Sequence, residues 1–91
     1  MKRFEELAKI VADEFIKDMR EHDFETFDEM VKCFWWTTND IKDEVDYVLR
    51  ENGAYVDELD RTCVLAEDTG EMISYRKFSA MFRKLLKGED A

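Results

Sequence analysis

Phe4, Leu7, Val11, Phe15 and Met19 recur at helical spacing, with Ala8, Ala12 and Ile16 beside them and Glu, Asp, Lys and Arg in the intervening positions. That period predicts one long amphipathic helix over residues 2–21. His22-Asp23 interrupts it. Thr26, followed three residues later by Glu29, has the form of a capping box, in which hydroxyl and carboxylate satisfy each other's backbone N–H at a helix start. It opens a second helix running to about Phe34, with Phe27, Met30, Val31 and Phe34 on its buried face. Thr37 and Asp40 repeat the signal, and Ile41, Val45, Val48 and Leu49 then share one face of a third helix. Asn52-Gly53 ends that helix, with Gly53 as the left-handed cap residue.

The last third of the chain changes period. Tyr55-Val56, Thr62-Cys63-Val64-Leu65 and Met72-Ile73-Ser74-Tyr75 are short β-prone runs, separated by residues 57–61 and by Glu67-Asp68-Thr69-Gly70-Glu71. The Asp-Thr-Gly turn predicts a hairpin between the last two runs. Phe78, Met81, Phe82 and Leu85 mark a closing helix from Ser74 or Tyr75 to Lys87. The reading is a mainly α protein with a small β-hairpin, an α+β class: three helices, hairpin, C-terminal helix. Residues 1–88 form a single compact domain and residues 89–91 a frayed tail.

Composition fits one small core. Of 91 residues 45% are hydrophobic and 13% aromatic, enough bulky side chains to outweigh a charged fraction of 41% and argue against disorder. With no Pro and three Gly, long irregular loops are not expected. No apolar run approaches the roughly 18 residues that span a bilayer, and Met1-Lys2-Arg3-Phe4 enters an amphipathic pattern, so the chain reads as soluble and cytoplasmic. Cys33 and Cys63 sit in apolar stretches and read as reduced core thiols.

Charge changes the picture most. The formal net charge is -9, and residues 1–73 carry 21 acidic and 9 basic side chains while residues 74–88 carry five basic and none acidic. An anionic body with one cationic helix starts any contact with a phosphate backbone at an electrostatic deficit. The acidic side chains form three groups. The first surrounds the junction of the first two helices, from Asp13 to Glu29. The second is Asp40, Asp43, Glu44 and Asp46 on the third helix. The third is Asp57, Glu58, Asp60, Glu67, Asp68 and Glu71 in the hairpin region. They are either a solvated face that maintains solubility or carboxylates that stand in for phosphates against Lys and Arg clusters of a partner.

Across residues 26–75, two short helices with a tight connection, then Gly53-Ala54-Tyr55-Val56-Asp57 leading into a hairpin, resemble a winged helix-turn-helix. The resemblance implies a recognition helix at residues 37–50 and a wing at residues 62–75. The outward positions of that helix include Asp40, Asp43, Glu44 and Asp46 against Lys42 and Arg50, the wrong sign for a major groove. In size and charge the chain also resembles phage-encoded inhibitors, including anti-CRISPR proteins and other DNA mimics, which occupy nucleic-acid channels of bacterial enzymes. That resemblance implies occlusion of such a channel inside a bacterial host cell.

Signals for catalysis are missing: the sequence has no phosphate-cradling Gly-rich loop, no G-x-S-x-G and no His-rich metal motif. The one histidine, His22, lies between Glu21 and Asp23 with no second catalytic group nearby in sequence, and reads as a helix-end residue facing the negative end of the dipole. No C-x-x-C or H-x-x-x-H pair pre-sets zinc ligands, and the acidic loops lack the alternation of a calcium loop. No metal or cofactor is expected. Trp35 and Trp36 point about 100° apart on a helix, so one packs inward and the other is partly exposed. Trp36, next to the acidic helix, is the candidate anchor residue. Arg76, Lys77, Arg83, Lys84 and Lys87 share the face opposite Phe78, Met81, Phe82 and Leu85, and are expected to pair with the acidic body.

The resulting expectation is a non-enzymatic acidic protein-binding module, monomeric or homodimeric. Asp40, Asp43, Glu44, Asp46, Asp57, Glu58, Asp60 and Trp36 would face the basic surface of a nuclease or CRISPR effector, with no direct nucleic-acid or membrane contact. Two other readings stay open: a regulator touching DNA through the basic final helix, and a self-associating assembly protein.

Overall fold

A computed structural model describes residues 2–88, so the expected tail at 89–91 lies outside the described residues. The elements run α1 (Lys2–Glu21), α2 (Phe27–Phe34), α3 (Thr38–Arg50), β1 (Ala54–Val56), β2 (Cys63–Ala66), β3 (Glu71–Ser74) and α4 (Tyr75–Leu86). The class is α+β, as the periodicity predicted. The hairpin is one strand larger than expected: Tyr55-Val56 joins it, giving an antiparallel meander in the order β1-β2-β3.

The stripe read on α1 is the floor of the core. Phe4, Leu7, Ala8, Val11, Ala12, Phe15 and Met19 are all buried. Ala8 and Ala12 let α4 come close along α1, the most extensive contact in the molecule, and Phe78 and Phe82 of α4 are fully buried there. Phe15 is the hub of an aromatic cluster, with ring centroids 4.8 Å from Phe27, 5.8 Å from Phe82 and 6.1 Å from Trp36. Offset and tilted pairs of this kind add to the area they bury.

Both Thr caps form, in different ways. Thr37 Oγ1 accepts from the Asp40 N–H while the Asp40 carboxylate accepts from the Thr37 N–H, a complete box that starts α3. Thr26 Oγ1 accepts from the Glu29 N–H, but Glu29 reaches back to the N–H of Glu25 rather than Thr26, so the box at α2 closes one residue early. Phe34 is 39% exposed, not buried as its spacing predicted. The eight-residue α2 ends at Trp35 in the left-handed region, at φ 58°, and the last ring falls over the α1–α2 turn against His22 and Phe24.

In the sheet Val56, Val64 and Ile73 pair in register and face the core with Ala54 and Ala66. Tyr55, Cys63, Leu65 and Met72 alternate to the outer face, as the period of a pleated strand requires. Cys63 is therefore only half-buried, and Cys33 is exposed on α2, where Phe27 and Met30 take the core face. Neither is the core thiol expected from its apolar neighbours. β3 runs into α4 with no loop: Ser74 Oγ caps Lys77 N–H, and Tyr75 N–H donates to the carbonyl of Thr62.

Candidate interaction surface

Helix α3 presents two polar edges to solvent. Asp43, Asp46 and Arg50 (i, i+3, i+7) lie on one, and Asp40, Glu44, Tyr47 and Glu51 (i, i+4, i+7, i+11) lie on the other, Glu51 being the residue that caps the helix.

The first edge is neutralised internally. Asp43 pairs with Arg61 at 2.7 Å, Asp46 with Arg50 Nε at 2.8 Å, and Arg50 Nη2 reaches Glu58 at 3.0 Å. Asp46 also accepts the N–H of Val56 at 2.7 Å, which ties α3 to β1. The loop carboxylates continue the pattern. Asp57 accepts the N–H of Leu59, and Asp60 accepts both N–H and Oγ1–H of Thr62. The hydrogen bonds from Thr62 hold the Asp60 carboxyl below its ordinary range.

The second edge lacks cations. Among the described residues Asp40, Glu44 and Glu51 form no ion pair within 4 Å. The Glu44 carboxyl is pushed above its ordinary value by partial burial first, then by the negative charges of Asp18 on α1 and Asp43. Tyr47 is 65% exposed in the middle of this edge. Its phenol is raised because Glu51 accepts a hydrogen bond from it and, with Glu44, repels a phenolate. Lys42, the other cation of α3 besides Arg50, turns away: its ammonium donates to the carbonyl of Arg61 at 2.9 Å and lies over the ring of Tyr75.

The candidate residues thus divide. Asp43, Asp46 and Glu58 are occupied in ion pairs, Asp57 and Asp60 fix the loop, Asp40 closes its capping box with one oxygen, and Glu44 is uncompensated. Trp36 is not the exposed indole. It is half-buried between Phe15 and Phe34, and Trp35 is the exposed one, at 87%. The left-handed turn at Trp35 carries the chain back toward the core at Trp36, whose N–H donates to Val31 O.

The α4 cations do not pair with the acidic body as expected. Among the described residues none of Arg76, Lys77, Arg83, Lys84 and Lys87 forms an ion pair within 4 Å. Arg83 instead donates to Ser79 Oγ and stacks over Phe27, 5.3 Å from the ring. The apolar face of α4 is spent on α1, whose adjoining positions are Ala8 and Ala12, so the cationic face looks outward. Glu25 and Asp28 share a depression of about 460 Å³ with Arg83 and Lys87 without reaching contact distance.

His22 is exposed at the end of α1, with Nδ1 3.3 Å from the carbonyl of Asp18 and its ring against Phe24 and Phe34. No group of three or more His, Cys, Asp or Glu among the described residues is placed to hold a metal ion. No helix among them is long and apolar enough to cross a membrane. Sequence reading missed Arg61 and Glu58 as partners for α3, because loop residues at these separations carry no periodic signal. Tyr47 and Glu51 are missed as site residues as well, although their i+7 and i+11 spacing from Asp40 puts them on one helix edge with Glu44. Compared with protein-family models, curated proteins and solved structures, the chain finds no match.

Proposed function

We propose that this protein is a non-enzymatic binding module, an inhibitor of the phage DNA-mimic type, that covers a cationic phosphate-binding surface on a bacterial nucleic-acid enzyme such as a CRISPR nuclease or restriction enzyme. The observation that carries the reading is the edge of α3 formed by Asp40, Glu44 and Glu51 around exposed Tyr47, which has no cation partner among the described residues while the neighbouring edge is neutralised. Carboxylates left without counter-charge gain most from a partner's Lys and Arg residues, and Tyr47 supplies an aromatic contact among them.

Asp40, Glu44 and Glu51 span about 16 Å of helix axis, where one strand of duplex carries a charge about every 3.4 Å. The edge is therefore suited to a local cluster of cations that normally grips a few phosphates, and blocking that cluster occludes the site. Steering by the net charge of -9 would make association fast and sensitive to salt.

The test is capture from a bacterial lysate at low and high salt, read by mass spectrometry, with the Glu44→Lys/Glu51→Lys variant beside the parent. Recovery of a nucleic-acid enzyme by the parent alone, released by salt, is the expected result. Equal capture by the variant overturns the reading. A second reading, a regulator touching DNA through α4, draws support from the unpaired cations of that helix. It requires a mobility shift of duplex DNA at low salt.

A further inference from the structure

Where the start of α3, the end of the loop before β2 and the first turns of α4 meet, six residues line a depression of about 330 Å³: Thr38, Lys42, Thr62, Tyr75, Arg76 and Ser79. In a chain with 23 carboxylates and 14 Lys and Arg, none of these six is acidic. Two are cations and four carry hydroxyls. We infer that this depression binds the phosphoryl group of a small phosphate monoester, with Lys42 and Arg76 as the charged clamp and the hydroxyls of Thr38 and Ser79 completing the shell.

Lys42 is the main support. It is half-buried, and its ammonium has no carboxylate within 4 Å among the described residues. One of its three N–H groups is used by the carbonyl of Arg61, and the ring of Tyr75 sits 4.9 Å away, so two donors remain. Arg76 is exposed and unpaired, and offers a planar fork suited to phosphate. Ser79 Oγ accepts from Arg83 Nε, and its own proton, which lies within reach of the Tyr75 phenol, can turn to a phosphoryl oxygen. Thr62 is different: its hydroxyl already donates to Asp60, so it contributes a wall rather than a donor. Asp43 is neutralised by Arg61, and Asp60, engaged by Thr62, forms no ion pair with Lys42 or Arg76 within 4 Å. A volume near the low end for small-molecule sites, floored by the ring of Tyr75, fits a small ester rather than a polymer.

The experiment is amide chemical-shift titration of the full chain at constant ionic strength, with inorganic phosphate in one series and a nucleoside 5′-monophosphate in the other. Saturable shifts gathered at residues 38, 42, 62, 76 and 79 are expected, with Arg76→Gln weakening binding about tenfold, the loss of one charge-assisted contact. Lys42→Gln is expected to do the same. Arg76 is exposed, so its variant tests the site even if Lys42→Gln loses stability. Tighter binding of the monophosphate than of phosphate shows that the apolar floor holds the organic part, and equal binding shows that the phosphoryl group alone is recognised. Shifts that do not saturate, or an equal loss with Lys84→Gln elsewhere on α4, overturn the inference.

Discussion

One oxygen of Asp46 accepts the backbone N–H of Val56 at 2.7 Å while the other pairs with Arg50 Nε at 2.8 Å. A single carboxylate thus joins the last turn of α3 to the last residue of β1, across the connection that sets the sheet against the helix. Asp46→Ala is expected to cost about 1–2 kcal/mol, since it removes a charge-assisted acceptor and leaves a half-buried N–H unpaired. Asp46→Asn should recover part of that loss. Urea unfolding measures it: a lower midpoint at unchanged slope is the expected result, and an unchanged midpoint for Asp46→Ala contradicts the role.

Asp46 also shows what the sequence could and could not say. Its position on α3 was legible from Ile41, Val45 and Leu49, and so was its place on a polar edge. Its partner was not, because Val56 lies ten residues on and contributes only a backbone N–H. The helices were the most legible part, being long, periodic and marked by Thr26, Thr37 and Gly53. β1 shows in the sequence as β-prone but its place in the sheet does not, since three residues carry too little alternation to show a pairing. Phe34 misled because helical spacing counts a residue as buried even where a short helix has run past its support, and Cys33 because apolar neighbours in sequence do not fix which face of a helix a residue takes. Among the candidate carboxylates, charge and exposure were readable, whereas neutralisation depended on Arg61 and Glu58 arriving from a loop.

Trp35 and Trp36 are adjacent in sequence and opposite in environment. Iodide quenching of fluorescence should lose its accessible component in Trp35→Phe and retain it in Trp36→Phe. Trp36→Ala removes a half-buried ring from Phe15 and Phe34, for a loss of about 2 kcal/mol. Trp35→Gly should leave stability unchanged or raise it by up to about 1 kcal/mol, because glycine accepts φ 58° without strain while adding entropy to the unfolded chain. A marked loss with Trp35→Gly would show that the exposed indole packs.

Glu44 makes the acidic edge sensitive to pH. Burial and the charges of Asp18 and Asp43 raise its folded pKa above the unfolded value, so its protonation favours the folded state. Its contribution is fully present below the ordinary glutamate pKa and is lost as pH rises through the folded value. At pH 7 Glu44→Gln should therefore stabilise the protein slightly, by a few tenths of a kcal/mol for so exposed a site. The gain should vanish at pH 3, where both side chains are neutral. Melting temperatures at the two pH values decide it, and an equal gain at both assigns the effect to something other than charge.

Tyr75 provides the opposite end of the pH scale. It is 8% exposed, and burial pushes its phenol up to about 12, against the opposing pull of the Arg83 and Arg61 guanidiniums. The unfolded chain ionises this phenol near 10, so its contribution is intact below that pH and is lost as pH rises from 10 through 12. Across that window stability should fall by up to about 1.4 kcal/mol per pH unit from this residue alone. Tyr75→Phe keeps the ring beneath Lys42 and removes the ionisation, so urea midpoints of the variant should fall less steeply between pH 10 and 12 than those of the parent. At pH 7 the two proteins should unfold at similar urea concentrations, since the phenol is neutral and its ring is retained. Identical slopes above pH 10 would mean that Tyr75 ionises as easily in the folded protein as in the unfolded chain, and would overturn the assignment.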